Sequence, residues 1–315
     1  MTVHACPLPE YPENKNNYSV GGWMLRGPQL DRRVVLAAAA SLVLASASPS
    51  RSSTRTGVPI RFGLTPVFLT SDLELLGRLE AYLQRSTGSP IALVTRRTYQ
   101  EITALLVAGE LDAAWICGFP FVAHRDALQL VAVPLWRGRP LYQSYLIVDQ
   151  KRQGSGLADL RGDVHAFSDP DSNSGFLQTR AALAAAGERP DTFFSRTLFT
   201  YGHRNVIRAV SSGLAESGSV DGYVYEVVAE LEPRLTEGTR VLRASEWLGF
   251  PPIAAPRQPV DTGRLTALAA AFLAMADEPD GRAVLAMLRL DGFATEPPSL
   301  FDAIAAKAAL VAAAG

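Results

Sequence analysis

Residues 166–176 read Ala-Phe-Ser-Asp-Pro-Asp-Ser-Asn-Ser-Gly-Phe, an apolar stretch that halts at Asp169-Pro170 and restarts on small hydroxyl and amide side chains. A strand ending there, followed by a helix opening on Ser172, Asn173, Ser174 and Gly175, would aim free backbone N–H groups, hydroxyl donors and a positive helix end at one point. That chemistry is capture of an oxyanion without a cationic side chain. Ser and Asn also lead the statistics of ordinary helix N-caps, so the segment alone leaves both readings open.

Bond-making chemistry finds less support. The sequence has no P-loop, no GxSxG elbow, no HExxH pair and no His or Cys spacing suited to a metal. His124, His165 and His203 belong to separate segments. We therefore expect no catalytic residue, no cofactor and no metal, and a binding protein rather than an enzyme. Thirty Lys and Arg against 31 Asp and Glu give a net charge of −1, which supplies no overall field to gather nucleic acid or an anionic membrane. An anion site must then be local. Cys6 and Cys117 are too few and too scattered for a disulfide framework.

The elements that would position this chemistry alternate. Val58, Ile60, Phe62 and Leu64 read as a strand, and Ser71 to Glu74 as a capping box opening a helix with Leu73, Leu76, Leu79 and Leu83 on one face. IALVT at 91–95 is a second strand, Thr98 to Glu101 a second capping box, and LDAAWIC a third strand. Strand and helix alternating over short connections imply parallel strands with right-handed crossovers. After LQLVAV at 128–133 the pattern restarts with QSYLIVD, VHAFSD, a helix from about 174, RTLFT, a helix from about 203 and SVDGY. The fold class is α/β with two lobes, each a doubly wound sheet flanked by helices, and a ligand cleft between them. Lobe 1 is expected to take 58–142 and 250–315, lobe 2 143–249, with the helical stretch from about 261 packing back on lobe 1.

Ahead of the lobes, Arg32-Arg33 precede the apolar run VVLAAAASLVLA and the small residues Ala45-Ser46-Ala47. This is the layout of a cleaved signal peptide, too short to span a bilayer. Residues 1–47 read as a leader with the true start placed at Met24, and 48–57 as a linker. The Arg pair fits twin-arginine export only in part, so ordinary secretion to the periplasm is expected.

Several segments together resemble the PhnD-like family of phosphate, phosphite and phosphonate-binding proteins of ABC transporters, type II periplasmic binding proteins. DPDSNSG at 169–175 matches that family's Asp-Pro turn into a Ser-rich, Gly-containing helix start. Thr98 to Glu101, Tyr142 to Tyr145, and Gly202-His203 through to Asp221-Gly222-Tyr223 agree with it as well. The resemblance implies a soluble, monomeric protein that closes over a small oxyanion and hands it to an ABC permease. It implies ligand contacts from Tyr99 and Phe121 in lobe 1, Tyr142 at the crossing, and Ser172, Asn173, Ser174 and Asp221 in lobe 2; His203, at a helix start after Gly202, is suited either to donate to the anion or to cap its helix. Two departures stand out: Arg204 where many phosphonate binders have an acidic residue for the ligand's amine, and Cys117 at a cleft-edge strand end. A buried free cysteine is most often packing. Cys117 also resembles the cysteine of arsenite-binding sensor proteins, so an input module for a sensor histidine kinase is the alternative.

Overall fold

The computed structural model describes residues 57–66, 73–259 and 261–314. The leader, Met24, most of the linker and the Ser71 capping residue lie outside the described residues.

The first half runs β1 (Ile60–Leu64), α1 (Leu73–Thr87), β2 (Ile91–Thr95), α2 (Tyr99–Val107), β3 (Ala113–Trp115), α3 (Gly118–Ala123) and β4 (Leu128–Leu135). A two-residue strand, β5 (Leu141–Tyr142), leads to β6 (Ser144–Asp149), β7 (Val164–Phe167), α4 (Gln178–Ala185), α5 (Pro190–Phe193), β8 (Arg196–Phe199), α6 (His203–Ser211), β9 (Ser217–Asp221), α7 (Gly222–Leu231), α8 (Pro233–Thr236) and β10 (Thr239–Ala244). The chain returns through β11 (Leu248–Gly249) to β12 (Ile253–Pro256), α9 (Thr262–Leu273), α10 (Pro279–Leu288), β13 (Gly292–Ala294) and α11 (Asp302–Ala314).

Two sheets result, ordered β13-β4-β12-β3-β1-β2 and β10-β6-β9-β7-β8. The strands joined by short helical crossovers are parallel, β1 with β2 and β3, and β7 with β8 and β9. Both sheets are mixed, however, because β12 lies antiparallel to β3 and β4, and β6 antiparallel to β9. These strands arrive from the opposite direction after the chain has changed sheets, so local periodicity does not announce them. Between the sheets, β5 and β11 pair antiparallel, and Ser144 N–H donates to Ser245 Oγ at 2.9 Å. The two crossings therefore form one narrow double strap.

Helix α1 buries Leu75, Leu79, Tyr82 and Leu83, while Leu73 is exposed. The expected face is rotated because Tyr82 fills a core position and its hydroxyl donates to Ala271 O of α9 at 2.6 Å. Helices α9 and α10 pack on α1, whereas α11 lies against both α3 and α4 and so touches elements of both halves. Trp115 is fully buried, packs edge-on to Phe293, and donates from Nε1 to Pro251 O at 2.9 Å. Burying such a side chain contributes roughly 2–3 kcal/mol and fixes the return crossing to β3. No helix among the described residues is long and apolar enough to cross a membrane.

Candidate functional site

The strand-to-helix turns of both sheets meet around the turn after β7. There the backbone does not enter an α-helix directly. Residues Asn173–Leu177 form a π turn, closed by Leu177 N–H on Ser172 O at 3.0 Å, before α4 begins. Ser172 caps it, its Oγ accepting from Gly175 N–H at 3.0 Å, which leaves the hydroxyl hydrogen available to another acceptor. Position 175 admits only glycine, since a Cβ there would stand 1.9 Å from Ser168 Oγ and 3.0 Å from His203 Cε1. The hydroxyl oxygen of Ser168 is buried and forms no hydrogen bond, and that of Ser174 is buried with no well-formed bond, lying near the Asp221 carboxyl and the Tyr142 hydroxyl. Leaving such a group unpaired costs about 1–3 kcal/mol, so two of them beside a helix start mark a place prepared for a partner.

Helix α6 brings His203 to this turn. Its Nδ1 accepts from Asp221 N–H at 3.1 Å, and burial holds the ring neutral by lowering its pKa to about 3. The single ring proton then sits on Nε2, 3.2 Å from the Tyr99 hydroxyl, to which it donates. Tyr99 in turn keeps its own O–H free to donate. Asp221 caps α7 by accepting from Val224 N–H at 3.1 Å. Burial raises its carboxyl to about 7, opposed by the N–H groups of Val224 and Tyr223 and by the nearby Ser174 hydroxyl. A carboxyl poised there is a donor when protonated and an acceptor when not.

The first half meets these groups directly. Asp169 accepts from Tyr99 N–H at 3.2 Å with one oxygen and from Asp171 N–H at 2.8 Å with the other, so a carboxyl from the β7 turn holds the start of α2. Cys117 Sγ accepts from Asn173 N–H at 3.1 Å. Burial pushes its thiol up to about 12, so it is neutral and not the thiolate that soft metal and metalloid ligation favours. The Asn173 amide donates to the Tyr142 hydroxyl at 2.8 Å and accepts from Gln178 Nε2 at 2.7 Å. Ser144 Oγ donates to Ser174 O at 2.6 Å.

The structure thus brings Tyr99, His203 and Asp221 into one buried hydrogen-bonded chain and Cys117, Tyr142 and Asn173 into a second beside it, with Ser172 and Ser174 flanking Asn173 on the central turn. Phe121 is joined to neither by any of these bonds. Its ring packs edge-on to Phe301 at 4.9 Å, beneath α11. Sequence reasoning passed over Ser168, Asp169, Ser144 and Gln178. Asp169 was legible only as the end of a strand before proline; its reach to Tyr99 depends on the spacing of two sheets. Among the described residues, no Lys or Arg joins the hydrogen bonds of this site, and none forms a His/Cys/Asp/Glu cluster that could hold a metal.

Two α/β sheets, a double crossing between them and a buried polar cradle built from the turns of both define the two-lobed architecture of the periplasmic binding proteins. More narrowly, the chain belongs to the family of phosphonate periplasmic substrate-binding proteins of ABC transporters, whose sequence profile matches residues 62–299. It is 29% identical over 206 residues to the phosphate-import protein PhnD of Mycolicibacterium smegmatis, a match covering 59% of this chain and 64% of that one. The chain therefore spans less than two thirds of that relative's length. A binding protein of an ABC phosphonate transporter from Pseudomonas aeruginosa shares the fold at a TM-score of 0.74 and 20% identity, covering 82% of this chain and 89% of the other. PhnD1 from Prochlorococcus marinus, solved with methylphosphonate, shares it at 0.72 and 16% identity, covering 79% and 97%. Family membership favours transport over the sensor-kinase alternative.

Proposed function

We propose that this chain captures a small oxyanion of the phosphonate, phosphite or phosphate type and delivers it to an ABC permease. The observation that carries the reading is the pair of buried hydroxyls without a well-formed bond, Ser168 and Ser174, at a helix start enclosed by groups from both sheets. Ser168 O–H, Ser172 O–H, Ser174 O–H and Tyr99 O–H supply donors, and Asp221 matches the ligand's protonation state by taking or giving one hydrogen bond. No bond is made or broken. Closure runs about the strap of 141–146 and 245–252, with lobe 1 formed by 58–142 and 250–315 and lobe 2 by 143–249. Asp169 to Tyr99 and Asn173 to Cys117 are then bonds of the closed form, which the permease distinguishes from the open one. The protein works as a monomer in the periplasm after removal of its leader.

Calorimetric titration with phosphate and methylphosphonate tests this. Hydrogen bonds to a charged partner contribute about 1.5–3 kcal/mol each, so Ser172→Ala with Ser174→Ala should weaken the bound ligand by at least about a hundredfold. An affinity equal to that of the unaltered chain would refute the cradle.

A further inference from the structure

The cradle has a neighbouring cavity, which shares His203 and Val224 with it but not the hydroxyl-bearing residues of the turn. The cavity, of about 360 Å³, opens past His203 and Val224, both already bonded into the cradle, His203 to Tyr99 and Asp221 and Val224 to the Asp221 carboxyl. Its walls come from both lobes: Val224, Val227 and Leu231 of α7 face Leu75 of α1 and Met287 of α10. A bare tetrahedral oxyanion leaves most of such a volume unused, whereas small organic ligands occupy pockets from about 300 Å³ upward. The walls are apolar, but one end is not. Arg204 and Arg208, on the first two turns of α6, line it with Glu232. One terminal nitrogen of Arg204 is paired with Glu232, yet its Nε is buried and has no hydrogen-bond partner. Two guanidinium groups against one carboxylate leave that end positive.

We propose that this cavity receives an organic substituent on the captured oxyanion, and that the preferred substituent is a short apolar spacer ending in a carboxylate, bound by Arg204. The proposal rests on the oxyanion reading of the cradle and narrows its ligand to a carboxyalkylphosphonate class. A carboxylate accepts the unused Nε–H and balances the excess charge. A simple alkyl group would fill the walls and leave Nε unpaired. An amine would bring a third cation to a site with one acidic group.

Titration of the purified protein with methylphosphonate, 3-phosphonopropionate and 2-aminoethylphosphonate tests it. A charge-assisted bond of this kind should make 3-phosphonopropionate bind at least about tenfold more tightly than methylphosphonate, with 2-aminoethylphosphonate the weakest of the three. In Arg204→Met the ratio of the first two should fall to within about twofold. Arg204→Lys keeps a charge for Glu232 but lacks the Nε and should lose most of the ratio too, which covers the case in which Met loosens α6. Equal binding of the two ligands by the unaltered protein, or a full ratio retained in both variants, would overturn the proposal. Failure of methylphosphonate and phosphate to bind at all would instead overturn the cradle, so the two failures are separable.

Discussion

Set side by side, the two sheets repeat one strand plan but their turns are unlike. Reading outward from the parallel edge, β2-β1-β3-β12 in the first corresponds to β8-β7-β9-β6 in the second, parallel strands followed by an antiparallel intruder. In the second sheet the three turns after β7, β8 and β9 carry the π turn, the neutral imidazole of His203 and the carboxyl of Asp221. The turns after β2 and β3 carry a phenol, a sulfur and the N–H of Tyr99, each bonded to a group of the second sheet. On the proposed reading the second lobe supplies most of the groups that hold the charge, and the first is furnished mainly to fit the second. A duplicated architecture can thus divide its labour by changing only the residues at strand ends.

The largest test of that division is Asp221. Below about pH 7 its carboxyl is neutral and tolerates a dianion, and above that it must bind a proton or repel the ligand. Relative to Asp221→Asn, which cancels titration of the ligand itself, the dissociation constant of the unaltered chain should rise by up to about tenfold for each pH unit above 7. Parallel pH profiles by calorimetry would remove Asp221 from the second lobe's role.

A smaller effect separates two capping carboxylates. Glu101 bonds within its own turn, accepting from Thr98 N–H at 3.0 Å, whereas Asp169 reaches the other lobe. Asp169→Asn retains one acceptor oxygen for two N–H donors, so it should weaken ligand binding by about tenfold. It should also enlarge the ligand-free radius of gyration in small-angle scattering. Glu101→Gln should do neither, and equal responses of the two variants would erase the distinction.

The smallest concerns cores. The first sheet centres on Phe62, Ala114 and Trp115, while the second buries His165 between Ser217 and Ser219, both at 2.8 Å, stacked on Phe194. Burial lowers His165 to about 3 from 6.5, so the stability it contributes is complete above pH 6.5 and is lost as pH falls toward 3. Asp221 acts oppositely: its raised pKa stabilises most below the ordinary carboxylate range, and that contribution is lost as pH rises through about 7. His165→Gln should flatten the decline in urea-unfolding stability between about pH 6 and pH 4, by up to about 1.4 kcal/mol per unit. An unchanged slope would mean that His165 is not held neutral.

Much of this was legible in the residues. Thr98 to Glu101 forms the reciprocal capping box its spacing announces, and the Ser-rich run after Asp169-Pro170 is the central turn of the cradle. Local signals of that kind survive folding because both partners lie within one turn. The rotated face of α1 was not legible, since Leu73, Leu75, Leu76, Leu79 and Leu83 offer two overlapping stripes and only the position of α9 chooses between them. The same holds for β12, for the Asp169 clasp and for the cavity beside Arg204. Each depends on partners more than fifty residues away, for which spacing within a segment carries no information.

The π turn at 173–177 has one more consequence. Because it holds an extra residue relative to an α-turn, the side chains before it and those after it are in different registers. The apolar residues of α4 that meet the hydrophobic interior, Ala181 and Leu183, are thus uncoupled from the choice of which hydroxyls face the cleft. A single-residue insertion or deletion here would re-aim the cradle while leaving the packing of the helix intact. Such a change would alter the turn of this chain without rebuilding the scaffold beneath it.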